Sequence, residues 1–229
     1  PDNYVHLTPK GRRQALEAGD RLKAVIGDES VRFIVSPYNR AKETFNGISQ
    51  AFGGPGAQSL IEEPRLREIE FGNYDREDIK ELHKSKEEFG PFFYRFPEGE
   101  SPADVYDRAS AFLETLYRMW AQISEDNYVI VSHSTMLLIF CQRFFGMTID
   151  EYYTFDHLEN CEFLVLSKNS DNWYEHVWSM RADKPKEPGI RRKLSKIAKP
   201  DIWDGSPDTL DDIQDDERPY AKYLPSTSR

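Results

Sequence analysis

Apolar residues recur along this chain in two periods. In Tyr128-Val129-Ile130-Val131 they run together and are mostly β-branched, which predicts a strand buried in a parallel sheet. The apolar run after Ser132-His133-Ser134 is stopped by Gly146 and predicts a helix. Upstream, Thr8-Pro9 couples an N-cap to a proline at the first helical position. Ala15, Gly19, Leu22 and Ile26 then keep helical spacing up to Gly27. Residues 31–36 predict a strand ended by Pro37, 40–52 a helix, and Ser59–Glu62 a short strand. Ser101-Pro102-Ala103-Asp104 opens a helix whose apolar stripe is Val105, Ala109, Phe112, Leu116 and Trp120. Residues 161–166 and 173–180 predict two strands joined as a hairpin. Helices alternating with buried strands, closed by an antiparallel pair, predict an α/β fold with a mostly parallel sheet.

Two stretches depart from this rhythm. Residues 64–100 are rich in charge and aromatics, and their length suggests a cap-like insertion around 71–100 over a pocket; an amphipathic packing surface is the plainer reading. Beyond residue 180 the composition changes. Eight bases and two acids lie in 181–199, then eight acids and no bases in 201–217, with few apolar residues. Residues 181–229 therefore read as a charged tail, solvated or engaging a protein partner, after a domain spanning 1–180.

Composition narrows the function. Net charge is −10, from 40 acids against 30 bases, which argues against broad nucleic-acid binding. No apolar run is long enough to predict a membrane span, and no signal-peptide pattern opens the chain. Cys141 and Cys161 sit in apolar surroundings and suggest no disulfide framework, so a reducing compartment is expected, the cytoplasm or the nucleus. No spacing suggests a metal site, and there is no Gly-rich nucleotide loop, so no cofactor is expected.

The candidate chemistry lies in the turns between strands and helices. Ser132-His133-Ser134 stands where a strand end meets a helix start, the place where open α/β sheets bind ligands and where free N–H groups favour anions. His133 could meet a phosphate there, or simply cap and pack. Ser36-Pro37-Tyr38-Asn39-Arg40-Ala41 repeats the design, and the planar fork of Arg40 suits two phosphate oxygens, or equally a surface carboxylate. Glu68, in Leu66-Arg67-Glu68-Ile69-Glu70-Phe71-Gly72, could serve as a general acid if desolvation raises its pKa; in a charged run it could also be merely solvated.

Taken in order, Ser36-Pro37-x-x-Arg40-Ala41-x-x-Thr44, Leu66-x-Glu68 with Gly72, Pro97-x-Gly99-Glu100-Ser101 and Val131-Ser132-His133 resemble the histidine phosphatase superfamily, the phosphoglycerate-mutase-like proteins. Leu7-Thr8-Pro9-x-Gly11 with Gln14-Ala15 resembles that family's segment just before its first arginine turn. The resemblance covers roughly residues 1–180. The wording of 92–101 and of Asn160-Cys161-Glu162-Phe163 is similar to the plant phosphoglycerate-mutase-like and fungal broad-range acid phosphatase subgroup.

The resemblance implies a three-layer α/β/α fold and a phosphomonoesterase of a small phosphorylated substrate that works without metal. A histidine would attack phosphorus and become phosphohistidine, and water would then release phosphate. Arg40 and a cationic His133 would clamp the phosphoryl oxygens, with N–H groups near Ser134 adding an anion nest. Glu68 would protonate the leaving group. Two departures stand out. Family members usually carry Gly where this chain has Ser134, which is tolerable if φ there is negative. The Arg-His-Gly motif that supplies the nucleophile occurs nowhere in the chain. It would lie upstream of Leu7 on a central strand, so the natural protein is expected to carry further residues before Pro1. The alternatives are a phosphoglycerate mutase, or a catalytically dead phospho-ligand or protein-binding module. His6, His83, His157 and His176 read as structural or surface residues.

Overall fold

The computed structural model describes residues 2–72, 79–168 and 174–180. The tail at 181–229, the side chains of His83 and His176, and part of the expected cap lie outside the described residues.

The sheet is built on β1 (Val31–Val35), flanked in parallel by β2 (Ser59–Glu62) and β3 (Asn127–Val131), in the order β2-β1-β3. Phe33 lies opposite Leu60 on one side and Val129 on the other. Successive side chains of a strand point to opposite faces, and the core divides accordingly. Phe33, Val35 and Val131 face one layer of helices, α1 (Pro9–Ile26) and α2 (Asn39–Ser49). Ile34 and Ile130 face the other, α4 (Pro102–Gln122) and α5 (Ser134–Phe145). This is the expected three-layer α/β/α arrangement.

The caps anticipated from sequence are present. Thr8 accepts the Gly11 N–H at 3.1 Å, and Gly27 ends α1 with φ 65°. Ser101 and Asp104 form a complete capping box at the start of α4. α1 and α2 approach closely because a side chain is absent at Gly19, where a Cβ would lie 2.6 Å from the Ile48 carbonyl oxygen.

The sheet departs from expectation at β3. Its residues were expected to be buried, yet only Val131 is; Tyr128, Val129 and Ile130 are half-covered, whereas Phe33 and Ile34 of β1 are wholly buried. The reason is positional. Among the described residues β3 pairs with β1 alone, so its other edge has no strand beside it. The hairpin of β4 (Phe163–Lys168) and β5 (Tyr174–Met180) is antiparallel, as expected, but forms a separate two-stranded sheet.

Two helices were not foreseen. α3 (Ile79–Phe89) interrupts the irregular stretch, and α6 (Ile149–Tyr153) follows α5, held by a Thr148–Glu151 capping box. The aromatic run divides: Phe92 and Phe96 are buried in the core, while Phe71, Phe89 and Phe93 are exposed.

Candidate active site

β1 and β3 end side by side, and the Ser36 N–H donates to the Val131 carbonyl at 2.9 Å, one step beyond the strand register. This brings the two turns singled out in the sequence together. Ser36 is fully buried, and its Oγ lies 2.8 Å from His133 Nε2. The Tyr38 N–H is aimed at the same Oγ at 3.4 Å, so the serine hydrogen is free to point at the imidazole.

The Tyr38 ring stands between the two candidate phosphate ligands. It meets the His133 ring edge-on with centroids 5.2 Å apart, and the Arg40 guanidinium carbon lies 4.9 Å from its centre. Tyr38 is buried. Burial, then the charges of Glu70 and Asp2, raise its phenol pKa. Neither Ser36 nor Tyr38 was assigned a role from sequence. Their only signal was membership of the Ser-Pro-x-x-Arg turn.

His133 was expected to be cationic against a phosphoryl group. Burial, together with the positive charges of Arg40 and Arg108, lowers its pKa from 6.5 to about 3, against a smaller upward pull from Asp2. Its surroundings thus favour the neutral imidazole. An imidazolium needs an anion beside it to outweigh two guanidinium groups.

Glu68 sits at the start of α5. Its Oε1 accepts the N–H of Ile69 at 2.9 Å and of Met136 at 3.3 Å, with Thr135 contributing as well. His133, the N-cap residue, gives α5 no side-chain cap, so a carboxyl from another segment takes the first-turn donors. Burial nevertheless dominates and raises the Glu68 pKa, with those N–H groups and Arg40 pulling it down. Some of the helix-start donors expected to face a phosphate are thus occupied by this carboxyl.

Ser134 begins α5 without a positive φ, as its side chain requires. Its hydroxyl turns away to the loop that follows α6. Oγ accepts the Leu158 N–H at 2.9 Å and lies 3.3 Å from His157 Nδ1. His157 was read as a structural or surface residue; it is exposed and reaches the site's edge through Ser134. His6 is bound to Glu43 at 2.6 Å, at the exposed end of the N-terminal segment.

Arg40 has found the alternative partner left open by the sequence, a surface carboxylate. Its Nη1 and Nη2 donate to the two carboxylate oxygens of Asp2 at 2.8 and 2.9 Å, a bidentate pair. The geometry thus gathers one arginine fork, one buried neutral imidazole and one carboxyl of raised pKa at a single sheet edge. That set can grip a tetrahedral anion and move a proton to or from an oxygen attached to it.

Comparison with known proteins agrees with this architecture. Residues 2–181 match the family model described as Histidine phosphatase superfamily (branch 1). Two phosphoglycerate mutase-like proteins of Arabidopsis thaliana are each 39% identical, over 76% and 72% of this chain. The match spans 68% of the first relative's length and 57% of the second's. The broad-range acid phosphatase DET1 of Saccharomyces cerevisiae is 37% identical, over 72% of this chain and 78% of its own length. Among solved structures, mycobacterial glucosyl-3-phosphoglycerate phosphatase superposes with TM-score 0.61 at 17% identity, covering 83% of this chain and 89% of that one. The alpha-ribazole phosphatase of Shigella flexneri gives 0.59 at 18%, covering 83% and 85%. The ordered motifs, the three-layer fold and the match over residues 2–181 lead to one conclusion: the chain belongs to the histidine phosphatase superfamily.

Proposed function

We propose that the protein is a phosphomonoesterase acting on a small phosphorylated substrate through a phosphohistidine intermediate. The observation that carries this is the meeting of Arg40, His133 and Glu68 at the ends of β1 and β3, with the Glu68 carboxyl pushed toward its protonated form.

In this reading Arg40, released from Asp2, grips two phosphoryl oxygens. The dianion raises the His133 pKa, so the imidazole takes a proton from water and donates to a third oxygen, and the N–H of Ser134 completes the cradle at the helix start. A nucleophilic histidine forms a bond from nitrogen to phosphorus as the ester P–O bond breaks. Glu68 gives its proton to the departing alkoxide. Water then attacks phosphorus, Glu68 takes the water proton, and the P–N bond breaks to release phosphate. Among the described residues β3 pairs with β1 alone, and its second edge would suit a parallel strand bearing the nucleophilic histidine, its carboxyl end beside His133. The reaction asks for charge and alignment from the protein and no cofactor.

The test is the natural full-length protein, assayed on a generic phosphomonoester with chelator present and quenched for acid-labile phosphoprotein. Turnover with a phosphohistidine signal, lost in Arg40→Ala, is expected. Phosphate binding without turnover would make it a binding module, and transfer primed by a bisphosphorylated acid would make it a mutase.

A further inference from the structure

Glu68 projects from residues 64–70, a segment with only a single 3-10 turn (Pro64–Leu66) of regular structure. Irregular backbone must find partners for its polar groups elsewhere, and here side chains supply them one after another. The Arg65 carbonyl accepts from Arg108 Nη1 at 2.6 Å, and the Arg67 carbonyl from the same nitrogen at 2.8 Å. The Leu66 carbonyl between them accepts from Ser132 Oγ at 2.7 Å, the residue just before His133. The Glu70 N–H donates to Glu100 Oε2 at 3.1 Å, and the Glu70 carbonyl accepts the Glu100 N–H at 2.7 Å.

Arg108 and Glu100 are themselves a pair. Arg108 Nε and Nη2 reach the two Glu100 oxygens, each at 3.1 Å, and Arg67 adds a second cation to Glu100. The Arg108 side chain is 9% exposed and the Glu100 side chain 13%. A buried ion pair is a weak way to gain stability, because desolvation of both charges offsets their attraction. What it gives instead is a rigid fork with fixed directions. Arg108 Nη1 also lies 3.1 Å from Met136 Sδ, and Met136 gives its N–H to Glu68 Oε1. One guanidinium therefore touches both sides of the Glu68 carboxyl, the segment that carries it and the helix turn that receives it.

We propose that Arg108 and Glu100 are positioning residues for the acid, aiming the Glu68 carboxyl at the leaving-group oxygen. This rests on the proton-donor role given to Glu68 above. Their hydrogen bonds go to the segment that carries Glu68 and to each other, so variants that keep the fold act through where Glu68 points. An acid matters most when the departing alcohol is a poor leaving group and least when it departs as a stable anion.

The experiment compares an alkyl phosphate with p-nitrophenyl phosphate in the natural full-length protein, for Glu68→Gln, Arg108→Lys and Glu100→Gln. Lysine keeps the charge and loses the fork; glutamine keeps the bulk and loses the charge. Glu68→Gln is expected to lower kcat/KM on the alkyl ester about a hundredfold more than on the aryl ester, because kcat/KM reads the ester-cleaving step and not the shared hydrolysis of the phosphoenzyme. Arg108→Lys and Glu100→Gln are each expected to lower kcat/KM on the alkyl ester about tenfold more than on the aryl ester. Added to Glu68→Gln, either is expected to cause little further selective loss. Should Arg108→Lys fail to fold, Glu100→Gln gives the same reading. Equal losses on both esters in the positioning variants, with Glu68→Gln still selective, overturn this inference alone. Equal losses in Glu68→Gln overturn the acid role and this inference with it.

Discussion

Asp2 closes both carboxylate oxygens on the guanidinium of Arg40, at 2.8 and 2.9 Å, and its own backbone carbonyl accepts a third bond at 2.9 Å. The N-terminal segment thus offers Arg40 the same planar pair of oxygens that a phosphate would. A ligand must displace it. Asp2→Asn keeps the size and loses the charge. Because the pair is partly exposed, its contribution is about 1 kcal/mol or less. The substitution is expected to tighten orthophosphate or orthovanadate inhibition by up to about fivefold, as measured by steady-state inhibition. Unchanged or weaker inhibition would show that Asp2 does not compete for the fork.

His133 makes stability depend on acid. Its folded pKa is depressed to about 3 from 6.5, so between these values the unfolded chain binds the extra proton. Stability from this group is intact above about pH 6.5 and falls as pH drops toward 3. The displacement corresponds to about 5 kcal/mol, of which solvent entry on partial opening would remove some. Thermal melts across that window should fall steeply for the native protein and less steeply for His133→Gln. Parallel curves would mean that the buried imidazole is not the group being protonated.

Glu68 acts in the opposite sense. Its folded pKa is raised, so the folded state holds the proton more tightly, and stability declines as pH rises from 4.5 through the folded value. Glu68→Gln removes a desolvated charge while keeping an oxygen that can accept from the Met136 N–H. The variant is expected to melt at a higher temperature than the native protein at pH 7, to lose that advantage below pH 4, and to be catalytically poor on alkyl esters. A lower melting temperature at pH 7 would count against a strained carboxylate.

Gly99 lies where two chain segments cross. A Cβ there would overlap the Glu70 carbonyl oxygen and sit 2.9 Å from the Gly72 nitrogen. Gly99→Ala must separate backbones joined by the Glu100 N–H to Glu70 carbonyl bond. The cost should be about 1–3 kcal/mol by denaturant unfolding. A larger effect is expected on kcat, because the displaced segment carries Glu68 two residues away. A stable variant with unaltered kinetics would show that this crossing does not position the acid.

Much of this was legible in the sequence. The Thr8, Ser101 and Gly27 caps, the strand at 31–35 and the late hairpin are local properties, fixed by hydrogen bonding and side-chain period within a few residues. The order of the motifs marked Arg40, Glu68 and His133 as residues worth watching. What the sequence could not decide depends on partners distant along the chain. The His133 pKa is lowered first by burial and then by the charges of Arg40 and Arg108, 93 and 25 positions away. Glu68 has a raised pKa because folding removes water from it faster than three N–H groups can compensate. The Ser134 hydroxyl serves a loop 24 positions further along the chain, through a contact made only on folding. Local pattern determines which elements form; long-range packing determines the dielectric and the charges each side chain meets, and so its protonation and its use.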